Sequence, residues 1–216
     1  MMNKQRKMYI YIDTLSRENE RLKREIERRD YLERKCNVSL DDFKQEESWQ
    51  TEMYMCLLEF LKDQDRKWFY FGGQTGSGKT MLCSAVCREF ICFGIGSENI
   101  QWNDDDMRYA KWKKKIEDYK KAKVLFLDGL FKPVREESGK WSMPSEEEIK
   151  ITREILEYRK NNQLMTFITS ERYLSEMLEA DEQIGMLIFA GTKGKHFCDV
   201  KREASRNYRI KNILGL

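Results

Sequence analysis

Hydrophobic and polar positions divide the chain into two unlike regimes. Over residues 8–35, Met8, Ile12, Leu15, Asn19, Leu22 and Ile26 recur at alternating spacings of four and three. That is a heptad seam and predicts a helix with a narrow apolar stripe. Asn19 on the seam would specify the register of a paired helix, with Glu18 and Lys23 placed to pair across it. The next core slots are Arg29 and Glu33, so the seam is short for an autonomous coiled coil. A linker follows from Asn37 to about Glu47. Trp49, Met53, Cys56, Leu57, Phe60 and Leu61 then fall at helical spacing, the pattern of a helix laid on a core.

From Lys67 onward, short apolar runs alternate with helical ones. Lys67–Phe71 reads as a strand, and Met81–Cys87 as the start of a helix. Asn99–Asn103 reads as a short second strand, with Asp104, Asp105 or Asp106 capping the helix after it. Val124–Leu127 is a buried strand ending at Asp128. Ser145, with Glu148 three residues on, is a capping box opening a helix to about Asn161. Leu164–Ile168 is a further strand, ending at Thr169-Ser170-Glu171. The alternation predicts an α/β protein of three layers, α/β/α, around a mainly parallel sheet. The expected division is an N-terminal helical arm (1–36), a linker (37–48) and the α/β domain (49–216).

Composition refines this picture. The 216 residues are 40% hydrophobic and 12% aromatic, enough for a core, while 36% charge implies much solvated helix surface. Two prolines and twelve glycines argue against disorder. No apolar run is long enough to cross a bilayer and no signal core opens the chain, so a cytoplasmic protein with no membrane partner, of a bacterium or a phage-infected host, is expected. Six cysteines suit a reducing compartment. Cys83, Cys87 and Cys92 lack C-x-x-C spacing and His196 is distant, so they read as small hydrophobes rather than metal ligands. Residues 1–35 hold eleven Lys and Arg against seven Asp and Glu, a surplus larger than the chain's net +3. A second basic stretch, residues 108–123, has eight against two. Its Tyr109, Trp112, Ile116 and Tyr119 form a helix stripe, and Lys111, Lys113, Lys114 and Lys115 are placed to follow a phosphate backbone.

The strongest chemical signal is Gly73-Gln74-Thr75-Gly76-Ser77-Gly78-Lys79-Thr80, which fits G-x-x-x-x-G-K-[ST] between a strand and a helix. The glycines let the backbone turn its N–H groups towards phosphate oxygens. Lys79 supplies a charge for the β- and γ-phosphates, and Thr80 a hydroxyl for Mg²⁺ at a helix N-terminus. The expected nucleotide-binding set is Gly73, Gln74, Thr75, Gly76, Ser77, Gly78, Lys79, Thr80 and Met81. Asp128, about 45 residues later at a strand end, is the expected second metal-holding group. Thr169 or Ser170, ending the next strand, can reach the γ-phosphate or orient water, or cap the segment that follows. The expected catalytic residues are Lys79, Asp128 and Thr169.

With these residues in place, residues 67–210 resemble the DnaC/IstB-type branch of AAA+ ATPases, and most closely the DnaC-like helicase loaders of phages and Gram-positive bacteria. The resemblance rests on Trp68–Thr80 with Leu82-Cys83, Val124–Asp128 with Leu130-Phe131-Lys132, Glu154–Arg159, Ile168–Glu171, Asp181-Glu182 with Ile184-Gly185, and Asn207-Tyr208-Arg209. It implies an AAA+ P-loop NTPase fold that binds ATP with Mg²⁺. It also implies a replicative hexameric helicase engaged through the N-terminal extension and placed on single-stranded DNA. Self-pairing of the arm into a homo-oligomer is the other use of its seam. The sequence departs from the family twice. The acid expected after Asp128, which polarises the attacking water, is Gly129. The small residue and arginine expected after Gly185 are Met186 and Leu187. Binding groups are thus kept while groups for hydrolysis are lost, and turnover is expected to be slow or partner-dependent. Glu136 or Glu137 is positioned in sequence to supply a base, and Arg172 or Lys193 a cation. An IstB-type transposition helper, a small-molecule P-loop kinase and a nucleotide-gated adaptor share the loop. The strand between loop and Asp128 favours the AAA+ order over the kinase.

Overall fold

The arm is one long helix, α1 (Lys4–Lys35), followed by a 3₁₀ turn at Leu40–Asp42 and by α2 (Ser48–Lys62). The α/β part then runs β1 (Trp68–Gly73), α3 (Lys79–Cys92), β2 (Ile100–Asn103), α4 (Ile116–Lys121), β3 (Val124–Leu127) and α5 (Glu146–Asn161). It ends with β4 (Met165–Thr169), α6 (Leu174–Ala180), α7 (Glu182–Gly191) and β5 (Phe197–Val200). The computed structural model describes residues 4–65, 67–92, 100–103, 116–133 and 142–210. The Asp104–Asp106 cap, the 108–115 part of the basic stretch, Glu136 and Glu137 lie outside the described residues.

The five strands lie in the order β2-β3-β4-β1-β5, all pairs parallel. β1 is central, paired Phe69↔Phe167 with β4 and Gly72↔Asp199 with β5. Alternation along the strands sends side chains to two faces. Phe69, Phe71, Phe126 and Phe167 pack with Met53, Leu57 and Phe60 of α2 and Leu82, Val86 and Cys87 of α3. Trp68, Tyr70, Leu125, Leu127 and Ile168 face Ile151, Ile155 and Leu156 of α5, Met177 of α6 and Ile184 and Ile188 of α7. The three layers read from the sequence are therefore present.

The predicted capping box closes α5 at its start: Glu148 N donates to Ser145 Oγ at 3.2 Å, and Ser145 N to Glu148 Oε2 at 2.6 Å. Cys83 and Cys87 are buried in the first core cluster, whereas Cys92 is exposed. Two features go beyond the sequence expectation. β5 was not foreseen, since Phe197-Cys198-Asp199-Val200 is four residues long with an acid inside it. The arm is also not wholly outside the core. Its seam residues Met8, Ile12, Leu15, Leu22 and Ile26 are exposed, but Leu32 and Cys36 are buried with α3 residues.

Candidate nucleotide-binding site

β1 runs directly into the glycine loop, and the loop into α3, so strand and helix fix its two ends. Gly78 has φ +95°, and a Cβ there would lie 2.7 Å from Cε2 of Phe43, whose ring covers the loop from the linker. Only glycine fits both the backbone conformation and that contact. On the loop's other flank, Tyr208 N donates to Gly76 O at 3.0 Å and Asn207 lies against Gly76. Ser77 Oγ donates to Gln74 O at 2.9 Å, closing the turn internally.

Lys79 is buried, with 7% of its surface exposed. Its ammonium donates to Gly73 O at 2.9 Å and to Gln74 O. Burial pulls its pKa down to about 8, against the opposing pull of the Glu171 and Asp128 carboxylates. Thr80 Oγ1 donates to Asp128 Oδ1 at 2.9 Å, and Thr169 Oγ1 donates to the same oxygen at 2.6 Å. Gly129 N in turn donates to Thr169 Oγ1 at 2.8 Å. Parallel pairing of β3 with β4 puts Asp128 and Thr169 at the same end of neighbouring strands, beside the loop that leaves β1. A hydroxyl and a carboxylate oxygen in contact are hard donors of the kind Mg²⁺ takes.

These groups line a cavity of about 600 Å³, together with Lys35, Lys132, Ser170, Glu171 and Arg209. Among the described residues, four cationic side chains and two carboxylates line it, a balance that favours a polyanion. Thr75, Gly76, Ser77, Gly78, Lys79, Thr80, Met81, Asp128 and Thr169 all line this space, while Gly73 and Gln74 contact Lys79 through their carbonyls. Sequence reasoning did not assign Lys35, Lys132, Glu171 or Arg209 to the site. Arg209 and Glu171 stood in family-like runs without a role, and Lys35 looked like a helix-surface residue.

Other expected groups stand elsewhere. Arg172 is buried and donates to Phe131 O at 3.1 Å and to Ser142 O at 2.5 Å, so its guanidinium holds two loops together. Leu187 is half-buried and packs on the second core cluster, while Met186 is exposed. Gly129 has φ +79°, and a Cβ there would meet nothing within 4 Å.

The sheet order, the loop and the strand-end acid together decide the architecture. The domain has the AAA+ P-loop fold. Among solved structures, the DnaC helicase loader matches with a TM-score of 0.55 at 18% identity, over 79% of this chain and 99% of that one. A putative primosome component of Streptococcus pyogenes serotype M3 matches with a TM-score of 0.55 at 18% identity, over 77% and 86%. AMPPCP-bound DnaA of Aquifex aeolicus gives 0.54 at 20% identity, over 82% and 53%. Among curated sequences, the Bacillus subtilis phage-like element PBSX protein XkdC is 30% identical over 149 residues, 64% of this chain and 53% of that protein. The uncharacterized protein YqaM of the same organism is 28% identical over 153 residues, 63% and 46%. The chain spans about half the length of these curated relatives. No protein-family model matches it. Its likenesses are thus AAA+ replication proteins in fold and a phage-element protein in sequence.

Proposed function

We propose that this AAA+ domain binds ATP with Mg²⁺ and acts as a helicase loader. In this reading it engages a replicative hexameric helicase through the exposed seam of α1 and assists its placement on single-stranded DNA in the cytoplasm. The observation that carries the nucleotide part is the convergence of Thr80 and Thr169 on one carboxylate oxygen of Asp128 beside the buried Lys79. The phosphates would lie along the loop N–H groups and Lys79, with Thr80 and Asp128 holding the metal, directly or through water. When bound, the metal supplies charge neutralisation to the phosphates. The known ligand of the DnaA neighbour, AMPPCP, is of the expected class. The loader part rests on the DnaC and primosome-component neighbours and on an arm whose Met8, Ile12, Leu15, Leu22 and Ile26 stay exposed along one stripe.

Lys79→Ala and a chain lacking residues 1–30 separate the two parts. Equilibrium binding of a fluorescent ATP analogue is expected to vanish in the first and persist in the second. Capture of the host's replicative helicase is expected to need the arm. A truncated chain that captures helicase as well as the full chain would remove the docking role.

A further inference from the structure

Gly129 follows Asp128 with no side chain, so the position after that aspartate brings no carboxylate to the site. Among the described residues, the carboxylates lining the cavity are those of Asp128 and Glu171. Asp128 Oδ1 already accepts from Thr80 and Thr169. Glu171 comes from the adjacent strand end, two residues beyond Thr169, and makes no side-chain hydrogen bond or ion pair among the described residues. Its backbone is held on both sides. Ser170 N donates to Phe71 O at 2.8 Å, Tyr70 Oη to Arg172 O at 2.7 Å, and Arg202 Nη2 to Glu171 O at 2.6 Å. An acceptor carboxylate on a fixed backbone, lining the same cavity as Lys79, Thr80 and Thr169, is of the chemical kind a general base needs.

We propose that Glu171 is the catalytic base of ATP hydrolysis, a role for which Gly129 offers no side chain; this rests on the ATP-binding reading above. The water oxygen forms its bond to the γ-phosphorus as the bond from that phosphorus to the β,γ-bridging oxygen breaks. The water proton passes to the Glu171 carboxylate and then to solvent, and ADP and inorganic phosphate leave.

The test compares the full-length chain with Glu171→Gln, Lys79→Ala and the double variant Gly129→Glu/Glu171→Gln, with and without the host helicase. Binding of a fluorescent ATP analogue should be within about threefold of the parent in Glu171→Gln, while kcat falls about a hundredfold. The double variant sets a carboxylate in the open space beside Gly129, against the backbone strain of φ +79°, and should recover part of the turnover. Parental turnover in Glu171→Gln, or parental turnover no higher than that of Lys79→Ala under either condition, overturns the assignment. Absence of nucleotide binding by the parent overturns the ATP-binding reading itself.

Discussion

Thr169 Oγ1 donates a 2.6 Å hydrogen bond to Asp128 Oδ1, and receives one of 2.8 Å from Gly129 N. The threonine therefore locks the Asp128 carboxylate to the end of the neighbouring strand. Thr169→Val keeps the shape and removes both bonds. Turnover should fall by about a hundredfold through misplacement of Asp128, with affinity for an ATP analogue nearly unchanged. Unaltered turnover, measured by phosphate release, would show that the lock has no catalytic weight.

Lys79 is a buried ammonium with a pKa near 8. In the proposed ATP-binding role the ammonium would meet the phosphates in its charged form, so affinity for an ATP analogue should be constant below pH 8 and weaken as pH rises past it, roughly tenfold between pH 7 and pH 9. The stability sign is the reverse of a partnered lysine's. Below pH 8 the group is charged in folded and unfolded chains alike, and the cost of burying it is fully present. Raising the pH from about 8 to the ordinary lysine value relieves that cost. Lys79→Met should thus raise the melting temperature of the nucleotide-free protein at pH 7 while abolishing binding. Calorimetry and titration on the same samples test both halves.

Arg159 is wholly buried in α5 and donates to Tyr119 O at 2.7 Å, Ala122 O at 2.8 Å and Thr166 Oγ1 at 2.9 Å, with Met165 O as a further acceptor. It closes the C-terminal carbonyls of α4 and ties that helix to the start of β4. Arg159→Met should cost about 3 kcal/mol in urea unfolding, because several buried acceptors lose their donor together. Arg159→Lys should restore little, since one ammonium cannot span the fork.

Two of the site's positive-φ glycines, Gly129 and Gly78, should respond differently to alanine. Gly129 has open space around it, so Gly129→Ala costs only backbone strain, about 1–2 kcal/mol. Gly78→Ala adds a 2.7 Å clash with the Phe43 ring. It should weaken nucleotide binding at least tenfold by displacing the loop or the ring. Equal effects in melting and binding assays would contradict this contrast.

Leu32 divides the arm into a free part and a packed part. Removal of residues 1–30 should leave the melting temperature within a few degrees of the parent. Leu32→Ala should lower stability by about 2–4 kcal/mol, as for other buried leucines. A truncation that destabilises as much as Leu32→Ala would mean that the exposed stretch also carries folding energy.

Periodicity made most of this fold legible. The β-rich run Lys67–Phe71, the Ser145 box and the run before Asp128 each obey a local rule, so four of the five described strands and the long helices followed from the chain. β5 did not, because its pairing to β1 depends on a distant segment and its four residues carry no apolar run. The motif residues of the site were readable because strand, loop and helix fix them locally. Glu171, Arg209 and Lys35 were not assigned there, since only packing brings a helix end and a C-terminal segment to the same cavity. Arg172 shows the opposite error: a charge that looked available in sequence is spent on holding loops.

Phe43 and Tyr208 come from opposite ends of the chain, yet each rests on the phosphate loop, one on Gly78 and the other on Gly76. They are also joined to each other through Gln50, which donates to Lys44 O at 2.8 Å and to the Tyr208 hydroxyl. The loop is therefore the clasp of a closed strap. A ligand that moved the loop would pull on the root of the arm and on the chain's last described turn in the same stroke.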